Sequence, residues 1–276
     1  MIQQILDGVS FRMGAPFDFT FLQRWGRVFR VFDDQDSGNI CFGTEKDGER
    51  FFVKFAGAPT LRATVDAAAA CANLRATLPL YRALRHRSLI QLVETAEVGG
   101  GFAMVFRWRD AWCMGRMYGE EHARFMALPV ADRLRVLADA ADFLACTHAA
   151  GYTAIDFYDG SIMYDPLRQE TVICDIDFFR PRPCVNDMGR MWGSSLFMSP
   201  EEYQLGAGLD EVTNVYTLGA LAFALFGGYR RDRQSWQLGD AAFRAAAQAV
   251  AEDRAERPQS IDAFMAMWQQ AVASGE

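Results

Sequence analysis

The sequence predicts an α+β protein whose first part is rich in β-strands and whose remainder is mainly helical. Apolar and polar residues alternate through much of 27–55, which is the period of half-buried strands, and 101–106 is a short apolar run that also favours a strand. Apolar residues recur every three or four positions through 130–148, which is the period of an amphipathic helix. With 276 residues, 51% of them hydrophobic and 23% charged, the chain is long enough to form two lobes with separate cores.

Five antiparallel strands are predicted for the first part. Three of them are 27–32, 39–43 and 49–55, with a turn at Lys46, Asp47 and Gly48 before the third. The other two are 89–93 and 101–106, separated by the turn at Gly99 and Gly100. Residues 1–25 mix Gly, Pro and Phe and are predicted to form an irregular lead-in packed on the domain.

The predicted helices begin with an alanine-rich stretch at 67–84, which Pro79 is expected to kink or end. A long amphipathic helix at 130–148 follows, and Gly151 marks its end. Further helices are predicted near 214–226, 239–252 and 259–273, the last with Ser260 as its N-cap. The predicted division is therefore a β-rich lobe at 1–106 and a helical lobe at 107–276, with a hinge at about 107–110.

Two acids, Asp156 and Asp177, are the leading candidates for catalysis. They are 177 − 156 = 21 residues apart, which leaves room for a short hairpin with strands at 161–164 and 171–176. Asp165 and Pro166 supply its turn signal, and such a hairpin brings both acids to one end. Phosphoryl transfer needs one carboxylate to orient a hydroxyl and another to hold Mg²⁺ on the phosphates.

This region resembles the catalytic loop and metal-binding motif of protein kinases, His-Arg-Asp followed by four residues and Asn, and then Asp-Phe-Gly. The resemblance implies that Asp156 is the catalytic acid, that Asp177 holds the metal, and that Ser161 is an auxiliary metal ligand at the Asn position. The strand around Lys54 is similar to the kinase strand whose Lys pairs with nucleotide phosphates. Taken alone, that segment favours a different interpretation, a surface Lys on an edge strand.

Later segments follow the family's order. Residues 193–201, Gly-Ser-Ser-Leu-Phe-Met-Ser-Pro-Glu, resemble the end of an activation segment, and 214–219 resemble the start of the helix that follows it. The resemblance also implies a buried ion pair between Glu201 and Arg257. The whole set implies a bilobal protein kinase-like fold, with a small five-stranded antiparallel β lobe plus one helix and a larger, mainly helical lobe.

The implied ligands are ATP and Mg²⁺. By the resemblance, Gly38 and Ile40 lie at the nucleotide, Phe106 is the gatekeeper behind the adenine pocket, and Trp108 lies in the hinge beside it. The phosphate loop departs from the family because only its third glycine, Gly38, is present.

Three acids, Asp33, Asp34 and Asp36, stand in that loop instead. They point outward, or a metal bridges them to phosphate, or no nucleotide binds. The loop around Asp156 departs as well, since Ala154 and Ile155 replace His-Arg.

Further departures concern Lys54 and Tyr158. Between Lys54 and Glu94 there is no Glu to pair with the Lys, and Thr77 stands near the expected place. Tyr158 stands where Ser/Thr kinases carry a Lys.

Three functions are compatible with these residues. The first is an ATP-dependent protein kinase-like phosphotransferase acting on a Ser, Thr or Tyr hydroxyl of a protein or peptide. The second is a pseudokinase, a scaffold or binding module with weak or no catalysis. The third is a small-molecule kinase, against which the Ser-Pro-Glu segment at 199–201 argues, because that segment is typical of kinases with peptide substrates.

Charge and composition restrict the partners. The net charge of −7 argues against nucleic acid as the main partner, because phosphate binding needs clustered Lys and Arg. No apolar run approaches the roughly 20 residues of a membrane span, and the N-terminus lacks the basic start of a signal peptide, so a cytoplasmic protein without a membrane partner is expected. The six cysteines contain no Cys-x-x-Cys pair and predict neither a zinc site nor a disulfide framework. The oligomeric state is left open.

Overall fold

The computed structural model describes residues 1–35 and 37–275, and it confirms the α+β class with several antiparallel sheets and seven α-helices in those residues. The chain divides into two compact units. The first unit comprises Met1–Arg82 and Ile90–Arg109, and the second comprises Ala83–Leu89 and Asp110–Glu276.

The first unit is built mainly from strands. They are β1 (Ile2–Leu6), β2 (Val9–Met13), β3 (Arg27–Phe32), β4 (Asn39–Lys46), β5 (Glu49–Ala56), β6 (Leu92–Val98) and β7 (Gly101–Arg107). Its helices are α1 (Ala67–Ala76) and α2 (Leu78–Ala83), the latter ending one residue into the second unit. The predicted single helix is therefore two helices, interrupted at Thr77 just before Pro79.

Strands β3 to β7 form one five-stranded antiparallel sheet in the order β3-β4-β5-β7-β6. Four of these strands match their predictions closely. The strand predicted at 89–93 begins only at Leu92, because Leu89 instead forms a parallel bridge with Ile173 in the second unit.

The prediction of an irregular lead-in at 1–25 was wrong. Strands β1 and β2 pair as a hairpin, and a 3₁₀ helix follows at Thr20–Trp25. The hairpin turns at Asp7 and Gly8, both with positive φ, and an Asp-Gly dipeptide favours that kind of turn. Phe11 and Phe19 are buried in the core cluster that contains Phe42 and Phe55 of the sheet, so the lead-in covers one face of that sheet.

The second unit contains the remaining five helices. They are α3 (Gly119–Met126), α4 (Val130–Ala149), α5 (Glu211–Gly227), α6 (Asp240–Ala249) and α7 (Ile261–Ser274). The predicted N-cap of the last helix is confirmed, since Ser260 Oγ accepts a hydrogen bond of 3.0 Å from the amide of Ala263. Helix α3 was not predicted. Helix α5 is buried at every position from Val212 to Gly227.

Short strands complete the second unit. They are β8 (Trp112–Cys113), β9 (Tyr152–Thr153), β10 (Ile162–Asp165), β11 (Glu170–Ile173), β12 (Arg180–Pro181), β13 (Cys184–Val185) and β14 (Gly208–Leu209). The predicted hairpin is present as β10 paired antiparallel with β11. Asp165 closes its turn by accepting hydrogen bonds of 3.0 Å from the amides of both Leu167 and Arg168.

No helix in the described part of the chain combines the length and the apolar composition that crossing a bilayer requires.

Candidate functional site

Two acids of the second unit are held in left-handed backbone. Asp156 has φ 57° and Asp175 has φ 55°. Few residues other than glycine adopt this region, and Asp is among those that tolerate it. Such conformations cost free energy and are concentrated at functional sites, so both acids are candidates on geometric grounds.

The hairpin brings the segments of these acids together. Ile162 pairs with Ile173, and one residue further on the amide of Cys174 donates to Ser161 O at 3.0 Å. Asp175 is therefore the first residue beyond the hydrogen bonds that join the hairpin to the 3₁₀ turn at Asp159–Ser161. Asp156 lies three residues before the start of that turn.

The pKa of the Tyr158 phenol is affected by both acids. Burial raises the pKa of Tyr158 above its ordinary value, and the charges of Asp175 and Asp156, in that order, raise it further. Asp175 is exposed and Asp156 is half-buried. The structure thus brings Asp156 and Asp175 to one place in the second unit.

Asp177, the acid chosen from the sequence, lies two residues after Asp175 in the chain, and the fully buried Ile176 separates the two acids. The sequence reasoning passed over Asp175, although it lies in the same Asp-Ile-Asp run directly after the strand. The metal role of Asp177 stays a prediction, and Asp175 joins it as a second candidate.

Ser161, the predicted auxiliary metal ligand, is buried rather than exposed. Its hydroxyl is buried and has no hydrogen-bond partner among the described residues. A metal ion could reach it only after a local shift of the loop, so the auxiliary metal role of Ser161 also stays a prediction.

The ring of Tyr158 covers the loop backbone. A Cβ atom at Gly160 would lie 2.5 Å from Cε2 and 2.7 Å from the hydroxyl oxygen of Tyr158. Gly160 is therefore required by the close approach of this ring.

The segment that resembles an activation segment passes beside Asp156. Gly193 has φ 145°, and a Cβ placed on it would lie 3.6 Å from Asp156 Oδ1 and 3.1 Å from Cγ of Met198. Ile155 and Met198 also belong to one buried cluster. The segment at 193–201 is thus in contact with the loop that carries Asp156.

Asn214, in the first turn of α5, holds the start of this loop. Its side-chain amide donates to Ala154 O at 2.7 Å, and its Oδ1 accepts from the amide of Ala154 at 3.1 Å. Both backbone groups of Ala154 are therefore fixed two residues before Asp156.

The ion pair implied for Glu201 and Arg257 is present. Arg257 Nη1 and Nη2 donate to the two carboxylate oxygens of Glu201 at 2.8 and 3.1 Å, and the residues are only 2% and 4% exposed respectively. Burial alone would raise the pKa of Glu201, but the hydrogen bond from Arg257 helps to hold it below its ordinary value. Arg254, which the sequence reasoning missed, donates to the same carboxylate at 3.0 Å.

Lys54 lies on the central strand of the first unit's sheet. It pairs with Cys41 on β4 and Met104 on β7, and it is 8% exposed. The alternative interpretation, a surface Lys on an edge strand, is therefore wrong. The hydroxyl of Thr77, the proposed neutral partner, donates to Leu74 O at 2.8 Å and lies 3.4 Å from the sulfur of Met104.

Ile40 lies on the opposite face of the sheet from Lys54. Cys41 is directly opposite Lys54, whereas Ile40 pairs with Phe55 and is buried with it under the N-terminal segment. A shift of one residue along a strand moves a side chain to the other face. The nucleotide role predicted for Ile40 is thus not supported by its position.

Gly38 is close to α1. It has φ 80°, and a Cβ there would lie 2.9 Å from Cβ of Ala70 and 3.4 Å from Cγ2 of Val65. Packing against this helix therefore accounts for the glycine.

Phe106 and Trp108 belong to an aromatic cluster beside Lys54 on the sheet. Phe52, which precedes Lys54 by two residues, contacts Phe106 at 6.3 Å and Trp108 at 6.5 Å between ring centroids. Phe32 contacts both Phe52 and Trp108. The flat apolar surface of these rings is suited to stacking with an aromatic base. The rings themselves also occupy space beside Lys54.

Two acids of the divergent phosphate loop, Asp33 and Asp34, form ion pairs with arginine residues. Asp33 accepts from the backbone amide of Arg12 at 2.7 Å and from its guanidinium at 3.1 Å, and the side-chain hydrogen bond from Arg12 lowers the pKa of Asp33. Asp34 forms an ion pair of 2.9 Å with Arg62. Asp36 lies outside the described residues.

Within residues 1–35 and 37–275, no three or more His, Cys, Asp or Glu side chains form a metal-binding group. Mg²⁺ in phosphoryl-transfer sites is held by one or two carboxylates, with water and phosphate oxygens completing the shell. Asp156 and Asp175 supply carboxylates of that kind.

A scan against protein-family models finds no match, and a search of the curated proteins finds no relative. The resemblance to protein kinases therefore depends on this chain's own sequence motifs.

Proposed function

We propose that this chain is a protein kinase-like phosphotransferase that moves the γ-phosphoryl group of ATP to a Ser, Thr or Tyr hydroxyl of a protein or peptide. The observation that carries the proposal is the contact between the 193–201 segment and the loop of Asp156. In addition, the charges of Asp156 and Asp175 both raise the pKa of Tyr158. An acid that receives a hydroxyl proton needs a neighbouring surface that positions the acceptor, and an acid that holds a metal must lie close by.

In this proposal Asp156 accepts or orients the proton of the acceptor hydroxyl. Asp175 is favoured over Asp177 as the metal ligand, because its charge acts on the same phenol as that of Asp156. Mg²⁺, when bound, would neutralise charge on the phosphates. The bilobal kinase-like arrangement, the phosphate contact of Lys54 and the cytoplasmic location belong to the same proposal, and each needs its own test.

The test combines binding with transfer. Thermal unfolding is measured with and without Mg²⁺-ATP, and transfer of labelled phosphate is measured on a peptide panel. Ligand at about 100 times its dissociation constant stabilises a protein by about 2.7 kcal/mol. Asp156→Asn should keep nucleotide binding and lose most turnover, since its role arises as the hydroxyl attacks. Lys54→Met should weaken nucleotide binding.

Asp175→Asn and Asp177→Asn form a matched pair, because each removes one charge from the same short run. The acid that holds the metal should lose Mg²⁺-dependent binding and turnover together, and the other should keep both. A parent protein that neither binds Mg²⁺-ATP nor transfers phosphate would refute the proposal.

The pseudokinase is the second candidate, and the position of Tyr158 favours it. The ring of Tyr158 lies against Gly160. The hydroxyl of the neighbouring Ser161, which was predicted to be an auxiliary metal ligand, is buried. Binding of Mg²⁺-ATP without transfer to any peptide or to water would establish this reading over the first.

A further inference from the structure

Tyr229 is held in a conformation that aromatic residues rarely adopt. It follows Gly228, the left-handed C-cap of α5 with φ 57°, and has φ 67° itself. A Cβ-bearing residue pays for this backbone, and a bulky one is an outlier there. The surrounding contacts must therefore fix Tyr229 in place.

The hydroxyl of Tyr229 is directed at the loop of Asp156. It donates to Asp159 Oδ2 at 2.7 Å and lies 3.4 Å from Met114 O. Burial raises the pKa of Tyr229, and the charge of Asp159 raises it further, so the hydroxyl keeps its proton at neutral pH and remains a donor. The guanidinium of Arg116 lies 4.6 Å from the ring centroid.

Asp159 is the first residue of the 3₁₀ turn at Asp159–Ser161 and is only 4% exposed. No other side chain in the described part of the chain donates a hydrogen bond to its carboxylate. A buried carboxylate needs such a donor, because an unpaired charge away from water is costly. The Tyr229 hydroxyl therefore anchors the turn that lies three residues after Asp156.

The ring of Tyr229 also contacts the 193–201 segment. Phe197, within the 193–201 segment, packs edge-on against Tyr229 with ring centroids 6.4 Å apart. Tyr229 thus contacts both the loop that carries Asp156 and the segment that lies beside it.

We propose that Tyr229 is a positioning residue, which fixes Asp159 and thereby holds the Asp156 loop in register with the segment that receives the acceptor hydroxyl. The inference rests on the proposed phosphotransferase function. Its physical content, the anchoring of the loop, can be measured without that function.

The catalytic arm compares Tyr229→Phe with Tyr216→Phe. The control also loses one phenol hydroxyl that accepts a hydrogen bond, from Arg231 at 2.8 Å, and it keeps its ring. Tyr229→Phe should lower kcat about tenfold or more with KM for ATP within about twofold, since a hydrogen bond to a charged group is lost. Tyr216→Phe should change neither. A double variant with Asp159→Asn should be no slower than Tyr229→Phe alone, because both changes break one contact.

The second arm is hydrogen exchange of amides in 152–162, which needs no activity. Tyr229→Phe should speed this exchange roughly tenfold, while exchange in α4 stays unchanged. A parent without transfer would refute the phosphotransferase, and exchange alone would then decide whether Tyr229 anchors the loop. Unchanged exchange in Tyr229→Phe, or an equal loss of kcat in Tyr216→Phe, would overturn the positioning role.

Discussion

Replacing Arg257 with Ala tests the ion pair that supports the second unit. The change removes both hydrogen bonds to Glu201 and two more, from Nε to Ala251 O at 2.7 Å and from Nη2 to Glu252 O at 3.1 Å. It leaves the Glu201 carboxylate buried. Removing one partner of a buried pair costs about 3 to 5 kcal/mol.

The remaining partners of Glu201 set the size of the effect. Arg254 Nη1 donates to Oε1 at 3.0 Å and the hydroxyl of Thr213 at 3.1 Å, so the carboxylate keeps two donors. We therefore expect the lower end, about 3 kcal/mol, for Arg257→Ala. At about 2 to 4 °C per kcal/mol for a unit of this size, Tm should fall by about 6 to 12 °C.

Differential scanning calorimetry measures this shift, with two further variants as controls. Arg233→Ala removes an Arg whose side chain is 51% exposed, and it should leave Tm nearly unchanged. Combining Arg257→Met with Glu201→Gln removes both charges and should recover part of the loss, since no unpaired buried charge remains. A Tm for Arg257→Ala within about 1 °C of the parent would refute the reasoning.

Three further predictions concern a buried acid, a loop clamp and a packed glycine. Burial raises the pKa of Glu202 to about 7, although Ser199 donates to it from backbone and side chain, so the contribution of Glu202 to the unfolding free energy should be largest below about pH 4.5 and be lost as pH rises through 7. Glu202→Gln should flatten that fall in urea titrations from pH 5 to 8, and equal slopes would contradict it. Asn214→Ala should cost about 2 to 3 kcal/mol in urea unfolding, because it leaves both backbone groups of Ala154 unpaired, and a loss below about 0.5 kcal/mol would contradict the clamp. Gly38→Ala should destabilise by about 1 kcal/mol or more through its φ of 80° and its contact with α1, whereas Gly48→Ala, with open space around its Cβ, should cost less.

Local patterns in the sequence were sufficient for most of the regular structure. The period-2 runs and Gly-containing turns located four strands of the five-stranded sheet, and the amphipathic run at 130–148 matched α4 to within one residue. Pro79 and Ser260 placed a helix break and a helix start, because their effects act within one turn of the chain. The 89–93 strand failed because Leu89 pairs with a residue far away in sequence.

The sequence indicated Asp156, Asp177, Glu201 and Arg257 as candidates, and the structure added Asp175 and Arg254. The resemblance paired Glu201 with Arg257 correctly but gave no sign of Arg254, whose bond to Glu201 joins two segments that are far apart in sequence. The resemblance placed Ile40 at the nucleotide together with Lys54, whereas the strand register puts Ile40 on the other face of the sheet from Lys54.

The chain by itself therefore specified an α+β fold, a hairpin behind Asp156 and a short list of charged candidates, because each depends on neighbours close in sequence. Only the tertiary structure added Asp175 as a second candidate through its left-handed backbone, enclosed the Ser161 hydroxyl, and joined Tyr229 to Asp159 across 70 residues of chain. These outcomes depend on backbone angles and burial that long-range packing sets, and no local pattern of residue types encodes them.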